Sequence, residues 1–310
     1  MPTGILNLLK PKDKTSHDMV AYVRKLFQGK KAGHTGTLDP SAVGVLPICL
    51  GKATRISEYL LTERKTYRAE INFGTTTDTD DAMGRIIDRK NVPPDLDFSF
   101  FQELCKKFEG ELWQTPPMYS AVKYKGERLY ELARKGKKVT RKPRRVKVYS
   151  LKPICYFKNT HRFIFEIECS KGTYIRTLAR QIGESVGCGA HLSFLLRTKV
   201  GAFTVDKAHT CRELELLERN NKLHKSLEPM DKALEHFKPL SLPTYAVKLI
   251  KNGRWISEND LRDFLDFDIK EINRDNNFLR LYDSEQNFFA VGRVLKKGQQ
   301  LLIKPEKVFI

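Results

Sequence analysis

A chain of 310 residues that is 40% hydrophobic and 30% charged can bury a core, and it has no apolar stretch near the roughly 18 residues that a membrane helix needs. Its 56 lysines and arginines outnumber 37 acidic residues, so the net charge of +19 favours a polyanionic partner such as nucleic acid, unless the whole proteome is basic. The six cysteines are scattered and form no CxxC pair, which argues against a zinc site and a disulfide framework. The N-terminus lacks the apolar run of a signal peptide, which argues against export, so we expect a cytoplasmic protein.

The first 30 residues predict a strand followed by a helix. Residues 5–9 form a short apolar strand that ends before Pro11. A helix follows Thr15, which together with Asp18 resembles a capping box. The apolar residues of this helix share one face, and we expect Gly29 to end it.

The segment 33–47, GHTGTLDPSAVGVLP, is the most informative part of the chain. Two glycines bracket His34, and Asp39 is followed by Pro40. Glycine permits sharp turns, and proline keeps the residue before it out of the helical region. The segment therefore predicts a stiff loop that holds one carboxylate and one imidazole for function. A tight turn in which the aspartate bonds its own backbone is the alternative.

Hydrophobic periodicity predicts the elements of the middle of the chain. They are a half-buried strand over 65–73, a polar turn over 78–84, an amphipathic helix over 98–108 closed by Gly110, a strand over 163–169 and a helix from about Thr173. Because strands and helices mix without regular alternation, the pattern favours an α+β fold over a doubly wound parallel sheet.

The C-terminal third predicts a separate, mostly β unit. Residues 211–237 are predicted to be helical and 240–243 to form a linker. Three strand-like runs follow, separated by turns at 283–287 and 296–299: they are 278–282, 288–295 and 301–304. Between residues 258 and 275 acidic residues outnumber basic ones, which predicts a solvated surface.

Positive charge is concentrated in residues 134–147, where nine of fourteen residues are lysine or arginine and none is acidic. Four aromatic residues lie just upstream: Trp113, Tyr119, Tyr124 and Tyr130. Cations beside aromatic rings suit looped RNA, whose phosphates bind the cations and whose bases can stack on the rings. A flexible charged loop is the alternative.

Arg176 lies in the first turn of the helix predicted near Thr173, where the helix dipole disfavours a cation. A buried carboxylate would offset that cost, and Asp39 is a candidate partner for the guanidinium. A surface arginine without a partner is the alternative. Because the Walker A, GxGxxG, HExxH and GxSxG motifs are absent, we expect an enzyme here to use side chains alone.

Five segments resemble the TruB family of tRNA pseudouridine synthases and follow its order across residues 4–200. They are GHTGTLDPSAVGVLP, KTYRAEINFGTTTDTDDAMG, PPMYSAVKYKGERLYELAR, CSKGTYIRTLA and GCGAHLSFLLRT. The stand-alone bacterial branch fits better than the guide-RNA-dependent branch, because residues 118–134 and the basic stretch after them resemble the bacterial insertion. The C-terminal region is loosely similar to a PUA-type RNA-binding barrel.

The resemblance implies a pseudouridine synthase fold of the α+β class with a mixed, largely antiparallel central sheet. It implies a catalytic domain over 1–238, with a basic RNA-binding insertion around 118–147, and a PUA-like β-barrel domain over 240–310. We expect a monomer that needs no metal or cofactor and does not bind a membrane.

The activity implied by the resemblance is isomerisation of uridine 55 in the T-loop of tRNA to pseudouridine. The target base must be flipped out of the folded loop before it can react. Asp39 matches the family's nucleophilic aspartate, and attack at ribose C1′, attack at base C6 and a glycal route all stay open. Arg176 matches the arginine that pairs with this aspartate and favours its charged form.

The resemblance also assigns the residues around the base. His34 matches a residue that contacts the substrate and fills the space that the base leaves. Tyr67 matches an aromatic residue that stacks on the base and helps to move a proton, although its place in the strand pattern also fits plain core. Tyr174 and Leu195 match further pocket residues, the latter chiefly a packing residue. Asp81 matches a polar position near the pocket, with its role left open.

Two rival functions stay open on the same sequence. One is a non-catalytic RNA-binding protein or tRNA-folding chaperone on this scaffold. The other is a pseudouridine synthase that acts on another RNA.

Overall fold

The computed structural model describes residues 2–29, 31–137, 139–257, 261, 277–298 and 300–309. The α-helices in this part of the chain are α1 (Ser16–Leu26), α2 (Ser57–Thr62), α3 (Phe98–Lys107), α4 (Leu129–Arg134), α5 (Ile175–Val186), α6 (Cys211–Arg219) and α7 (Thr244–Lys251). None of the described helices has the length and apolar character to cross a membrane. The acidic surface predicted over 258–275 lies, except for Leu261, outside the described residues.

The strands of the described residues belong to two larger sheets and two small hairpins. They are β1 (Gly4–Lys10), β2 (Ala32–His34), β3 (Val43–Leu50), β4 (Lys65–Phe73), β5 (Thr75–Thr77), β6 (Ile86–Arg89), β7 (Gly110–Gln114), β8 (Lys123–Tyr124), β9 (Glu127–Arg128), β10 (Arg144–Phe157), β11 (Arg162–Cys169), β12 (Ala190–Val200), β13 (Phe203–Thr204), β14 (Leu227–Glu228), β15 (Lys238–Ser241), β16 (Ile256–Ser257), β17 (Phe278–Tyr282), β18 (Phe288–Lys297) and β19 (Gln300–Val308).

The larger sheet runs in the order β14-β1-β3-β12-β4-β11-β10-β7, with β2 added to β3 and β13 to β12. Strands β3 and β12 pair in parallel, and the other pairs in this sheet are antiparallel. The predicted α+β class with a mixed, largely antiparallel sheet is therefore confirmed.

One face of this sheet is covered by α3 and α5. The alternation along β4 buries Tyr67, Ala69, Ile71 and Phe73, as the sequence predicts. Phe101 of α3 stacks on Phe163 of β11 with ring centroids 4.2 Å apart. Burying an aromatic side chain of this size stabilises the fold by about 1.5–3 kcal/mol, which explains why this face binds the helices.

Helix α1 covers another part of the sheet, and its predicted capping box is present. The Thr15 hydroxyl accepts the Asp18 amide hydrogen at 3.0 Å, and the Asp18 carboxylate accepts the Thr15 amide hydrogen at 2.8 Å. The helix ends at Leu26 with Phe27 as its C-cap, and Gln28 takes the left-handed conformation (φ 49°) one residue before Gly29. The Gly29 amide still closes the helix end by donating to the Arg24 carbonyl at 3.0 Å.

The C-terminal sheet has the order β15-β17-β18-β19-β16 and its own apolar core. The predicted linker over 240–243 is wrong in its first half, because Leu240 and Ser241 belong to β15, which pairs in parallel with β17. Leu240 and Leu242 are both buried in this core. Strands β18 and β19 also extend further than predicted, because they form one hairpin around Gly298.

The region predicted to be helical over 211–237 is helical only in part. Helix α6 ends at Arg219, and two 3₁₀ turns enclose the short strand β14. Leu227 and Glu228 of β14 pair with the edge of β1, which takes them out of the helix.

The two sheets share an apolar cluster. Val291 and Phe309 from the C-terminal side pack with residues such as Ile5 and Val45 from the larger sheet. Arg55 reinforces the contact by donating to the Val308 carbonyl at 2.6 Å.

Candidate active site

The loop that carries Asp39 is anchored on both sides of that residue. The Leu38 amide donates to the Ser16 hydroxyl at 2.8 Å, and the same hydroxyl donates back to the Leu38 carbonyl at 3.1 Å. On the other side, the Pro40 carbonyl accepts the Asp13 amide at 2.9 Å and the Lys10 ammonium at 3.2 Å. The stiff loop predicted from the sequence is therefore present, and its fixed points leave little freedom to Asp39.

Arg176 holds the carboxylate of Asp39 through two contacts. The guanidinium Nε lies 2.9 Å from Asp39 Oδ2, and Nη2 donates to Oδ1 at 3.2 Å. The arginine side chain is only 6% exposed, whereas that of Asp39 is 39% exposed. The carboxylate therefore faces open space on one side and a buried cation on the other. The predicted partnership of these two residues is confirmed as a contact.

The other donors of Arg176 fix its orientation. Nη2 donates to the Tyr119 carbonyl at 2.8 Å and Nη1 to the Thr79 carbonyl at 3.4 Å. Tyr119 lies at the root of the basic insertion and Thr79 lies in the polar turn that follows β5, so one guanidinium joins both segments to helix α5. A planar group with several donors suits such a junction.

Asp81 lies beside this pair. Its Oδ2 is 3.8 Å from Arg176 Nε, and its Oδ1 accepts the Thr79 hydroxyl at 2.6 Å and the Met83 amide at 3.0 Å. Because its side chain is only 14% exposed, its negative charge is screened little by solvent. Asp81 thus supplies a second carboxylate to the same guanidinium.

Apolar residues form the wall next to Asp39. Tyr67 and Leu195 are both 8% exposed and belong to one buried cluster with Leu38. Burial raises the pKa of the Tyr67 phenol; the positive charge of Arg197 and a hydrogen bond from it oppose the rise, and the charge of Asp39 adds to it.

Tyr174 immediately precedes helix α5 and is half-buried. The buried amide of Gln114 binds its backbone at both ends, accepting from the Tyr174 amide at 2.9 Å and donating to its carbonyl at 3.3 Å. This double contact sets the start of the helix that carries Arg176.

His34 lies at the end of β2, before the Asp39 loop. Its Nδ1 accepts the Gly36 amide hydrogen at 3.3 Å, so the ring in this arrangement is neutral and carries its hydrogen on Nε2. Burial lowers the pKa of His34, and the charges of Arg197 and His17 lower it further. A neutral imidazole can pack against a nucleobase without the cost of burying a charge.

Two buried cations that bind the Asp39 segment were not predicted from the sequence. Lys10 is fully buried and Arg197 is 1% exposed, and both bind carbonyls of the Asp39 segment. Burial lowers the pKa of Lys10 to about 8, an effect that the negative charge of Asp39 opposes. The available signal for Arg197 was a cation that directly follows the apolar residues Leu195 and Leu196 of β12. For Lys10 the signal was a lysine that ends an apolar strand.

Within the described ranges, no group of three or more histidine, cysteine, aspartate or glutamate side chains is arranged to hold a metal ion.

Comparison with known proteins decides the family. Residues 24–175 match the TruB family pseudouridylate synthase N-terminal domain, and residues 176–235 match the tRNA pseudouridylate synthase B C-terminal domain. The tRNA pseudouridine synthase B of Clostridioides difficile (strain 630) is 41% identical over 312 residues, which cover 99% of each chain. The chain belongs to the TruB family. The resemblance seen in the sequence is confirmed, and with it the assignment to an isomerase class of enzyme.

Further TruB relatives and solved structures agree. The tRNA pseudouridine synthase B of Alkaliphilus oremlandii (strain OhILAs) is 48% identical over 260 residues, 84% of this chain and 85% of the relative. A solved Cbf5-Nop10-Gar1 complex contains a chain that is 28% identical, with a TM-score of 0.74 over 99% of this chain and 85% of that one. A structure of an H/ACA RNP bound to a substrate RNA containing 2′-deoxyuridine gives 26% identity and a TM-score of 0.73, with the same coverage. The pseudouridine synthase fold with a PUA-like C-terminal sheet is thereby confirmed.

Proposed function

We propose that this TruB-family protein converts uridine 55 in the T-loop of tRNA to pseudouridine, with Asp39 as the nucleophile. The observation that carries the proposal is the asymmetric setting of Asp39: its carboxylate is part-exposed while the almost fully buried Arg176 binds both of its oxygens. A guanidinium at this distance favours the charged carboxylate, which is the nucleophilic form.

The reaction is an isomerisation, so the substrate gains and loses no atoms overall. The bond from N1 to ribose C1′ breaks, the uracil turns, and a bond from C5 to C1′ forms, while C5 loses a proton and N1 gains one. Asp39 stabilises the separated ribose or uracil by a covalent bond or by assisting proton removal, so that attack at C1′, attack at C6 and a glycal route remain the candidates. Tyr67 and Leu195 supply the apolar faces that would hold the extruded base.

Tyr67 is the residue that we propose to stack on the base and to help move the proton. Tyr174, at the start of α5, and His34, ahead of the Asp39 loop, are proposed to complete the pocket and to fill the gap in the loop. These assignments rest on the family pattern together with the contacts described above.

The insertion offers a surface for the RNA backbone and its bases. Trp113 is 63% exposed, and Tyr119 and Tyr124, which precede the basic stretch 134–147 in the sequence, are also exposed. Rings of this kind stack on bases and the cations neutralise phosphates, so we assign tRNA contacts to this surface. Residues 144–147 belong to β10, so the flexible-loop alternative does not apply to that end of the basic stretch.

A second cationic surface is a cleft that includes Lys31, the residue before β2. Lys31, Lys52 and Arg55 line a cleft of about 720 Å³ whose lining contains no acidic residue. Lys31 precedes β2 and is three residues from His34, which corresponds to about 10 Å of extended chain. We infer that this cleft binds phosphates of the same tRNA at a distance from the target base.

We propose residues 1–238 as the catalytic domain and 240–310 as a PUA-like RNA-binding domain, acting as a cytoplasmic monomer. The proposal predicts that the C-terminal sheet adds tRNA affinity without contributing to the chemical step.

Incubation of the purified protein with an unmodified tRNA transcript tests the function. We expect pseudouridine at position 55 without any added component, and none in a transcript that has cytidine there. Asp39→Asn should bind tRNA but form no product, while Asp206→Asn, a change at an exposed position, serves as the matched control.

The same experiment separates the rival functions. Wild-type amounts of product from Asp39→Asn would overturn the assignment of Asp39 as the nucleophile. Binding of tRNA by the wild-type protein without any product would instead leave the chaperone role. Product in a ribosomal fragment but not in an isolated T-stem-loop would instead mean that another RNA is the substrate.

A further inference from the structure

A buried cation without an acidic partner lies next to the site. Arg197 on β12 is 1% exposed, and no carboxylate among the described residues forms an ion pair with it. Removing a guanidinium from water costs several kcal/mol unless its donors are well satisfied. A residue kept at such a cost requires an explanation, and neither the Asp39–Arg176 pair nor the RNA surface provides one.

The donors of Arg197 are directed at the two ends of the Asp39 segment. Nη2 donates to the Gly36 carbonyl at 3.1 Å and Nε donates to the Val45 carbonyl at 2.7 Å. The backbone also approaches closely here: a Cβ on Gly44, which has φ +117°, would lie 2.2 Å from the Arg197 carbonyl oxygen. The guanidinium therefore clamps the loop that presents Asp39.

Arg197 also faces Tyr67. The two residues are directly opposite each other in the antiparallel pair β12–β4, where opposed side chains lie about 4.5–5.5 Å apart at Cβ. Both side chains are almost fully buried, so the positive charge of Arg197 acts on the phenol through little solvent and opposes the rise that burial causes in the pKa of Tyr67.

We propose that Arg197 is a positioning residue that couples Tyr67 to the Asp39 segment. It keeps the phenol hydroxyl and the Asp39 carboxylate at fixed positions relative to each other around the extruded uracil. The inference rests on the proposed function, and it assigns to Arg197 an effect on the chemical step that is transmitted through Tyr67. Arg197 does not itself touch the substrate.

A double-mutant cycle measured under single-turnover conditions tests this. Arg197→Met, Tyr67→Phe and the double variant are compared with wild type on an unmodified tRNA transcript, together with tRNA affinity and thermal melting. We expect Arg197→Met to slow the chemical step at least about tenfold, and to slow it by less than about threefold when Tyr67→Phe is already present. Affinity for tRNA should change by less than about twofold.

Two further variants separate positioning from support of the fold. Arg197→Lys keeps the charge and should fold, but an ammonium cannot bind the Gly36 and Val45 carbonyls together in the same geometry, so it should also slow the chemical step. Lys65→Met removes a neighbouring buried cation that binds the carbonyls of Leu61 and Glu63, and it should lower the melting temperature without slowing that step.

The outcomes are distinct. Multiplicative effects of Arg197→Met and Tyr67→Phe, or a wild-type rate for Arg197→Lys, would overturn the inference while leaving the proposed function intact. Absence of pseudouridine from the wild-type reaction would overturn the proposed function and the inference together.

Discussion

Arg176→Lys should slow pseudouridine formation strongly while leaving tRNA affinity almost unchanged. The guanidinium binds both oxygens of Asp39, at 2.9 and 3.2 Å, and the carbonyls of Tyr119 and Thr79. A lysine ammonium can keep one contact to the carboxylate but cannot reach all of these acceptors. Because the variant retains the positive charge near Asp39, a lower rate would report the lost geometry of the hydrogen bonds and not the loss of charge.

The expected magnitude follows from the hydrogen bonds that a lysine at this position cannot make. Without one of the two bonds to Asp39 and without the bond to Tyr119, at about 1.5 kcal/mol each, about 3 kcal/mol is removed. If both are needed in the transition state, this corresponds to a rate about 100-fold lower. Displacement of a reacting group by about 1 Å alone has an effect of similar size.

The assay is a single-turnover time course on an unmodified tRNA transcript, with affinity measured separately. Arg180→Lys is the matched control, because Arg180 lies one turn further along α5 and pairs with Asp80 and Glu184 instead of Asp39. The control should stay within about threefold of wild type. A rate for Arg176→Lys within that same range would refute the reasoning.

Three more predictions concern charge around the site. Asp81→Asn keeps the hydrogen-bonding shape but removes the second negative charge from Arg176, and single-turnover kinetics should show a rate about tenfold lower with unchanged affinity. Burial lowers the pKa of Lys10 from 10.5 to about 8, so between these pH values the unfolded chain binds a proton that the folded protein has released. The free energy of unfolding of wild type should therefore increase relative to that of Lys10→Met as the pH rises from 8 to 10 in melting experiments. A decrease of wild-type stability relative to Lys10→Met over this range would contradict the predicted sign. Replacing the exposed Lys137 and Lys142 with alanine should reduce the salt dependence of tRNA binding by about one unit of slope per phosphate contact removed, whereas the same change at the exposed Lys106 and Lys107 of α3 should not. Equal slopes would show that the insertion does not touch phosphate.

Local patterns in the sequence predicted the elements that position the site. Alternation fixed β4 with Tyr67 on its buried side, and the capping residues located the start of α1. The electrostatic cost of a cation at the start of α5 predicted an acidic partner for Arg176, and Asp39 is that partner. These inferences succeeded because each depends on neighbours in sequence or on one strong electrostatic cost.

Long-range contacts explain what the sequence did not reveal. Leu240 belongs to a strand because β17, far along the chain, pairs with it. Leu227 leaves the helical pattern because it pairs with β1. The role of Arg197 depends on carbonyls at positions 36 and 45, and a cation in an apolar strand gives no indication of which backbone groups will surround it.

The most direct test of the account is the structure of Asp39→Asn bound to a T-stem-loop RNA. The account predicts that uridine 55 is extruded, stacked on Tyr67, and placed with C1′ or C6 about 3–3.5 Å from the side chain at position 39. A target uridine that remains stacked within its loop, or a side chain at position 39 that points away from the nucleotide, would contradict it.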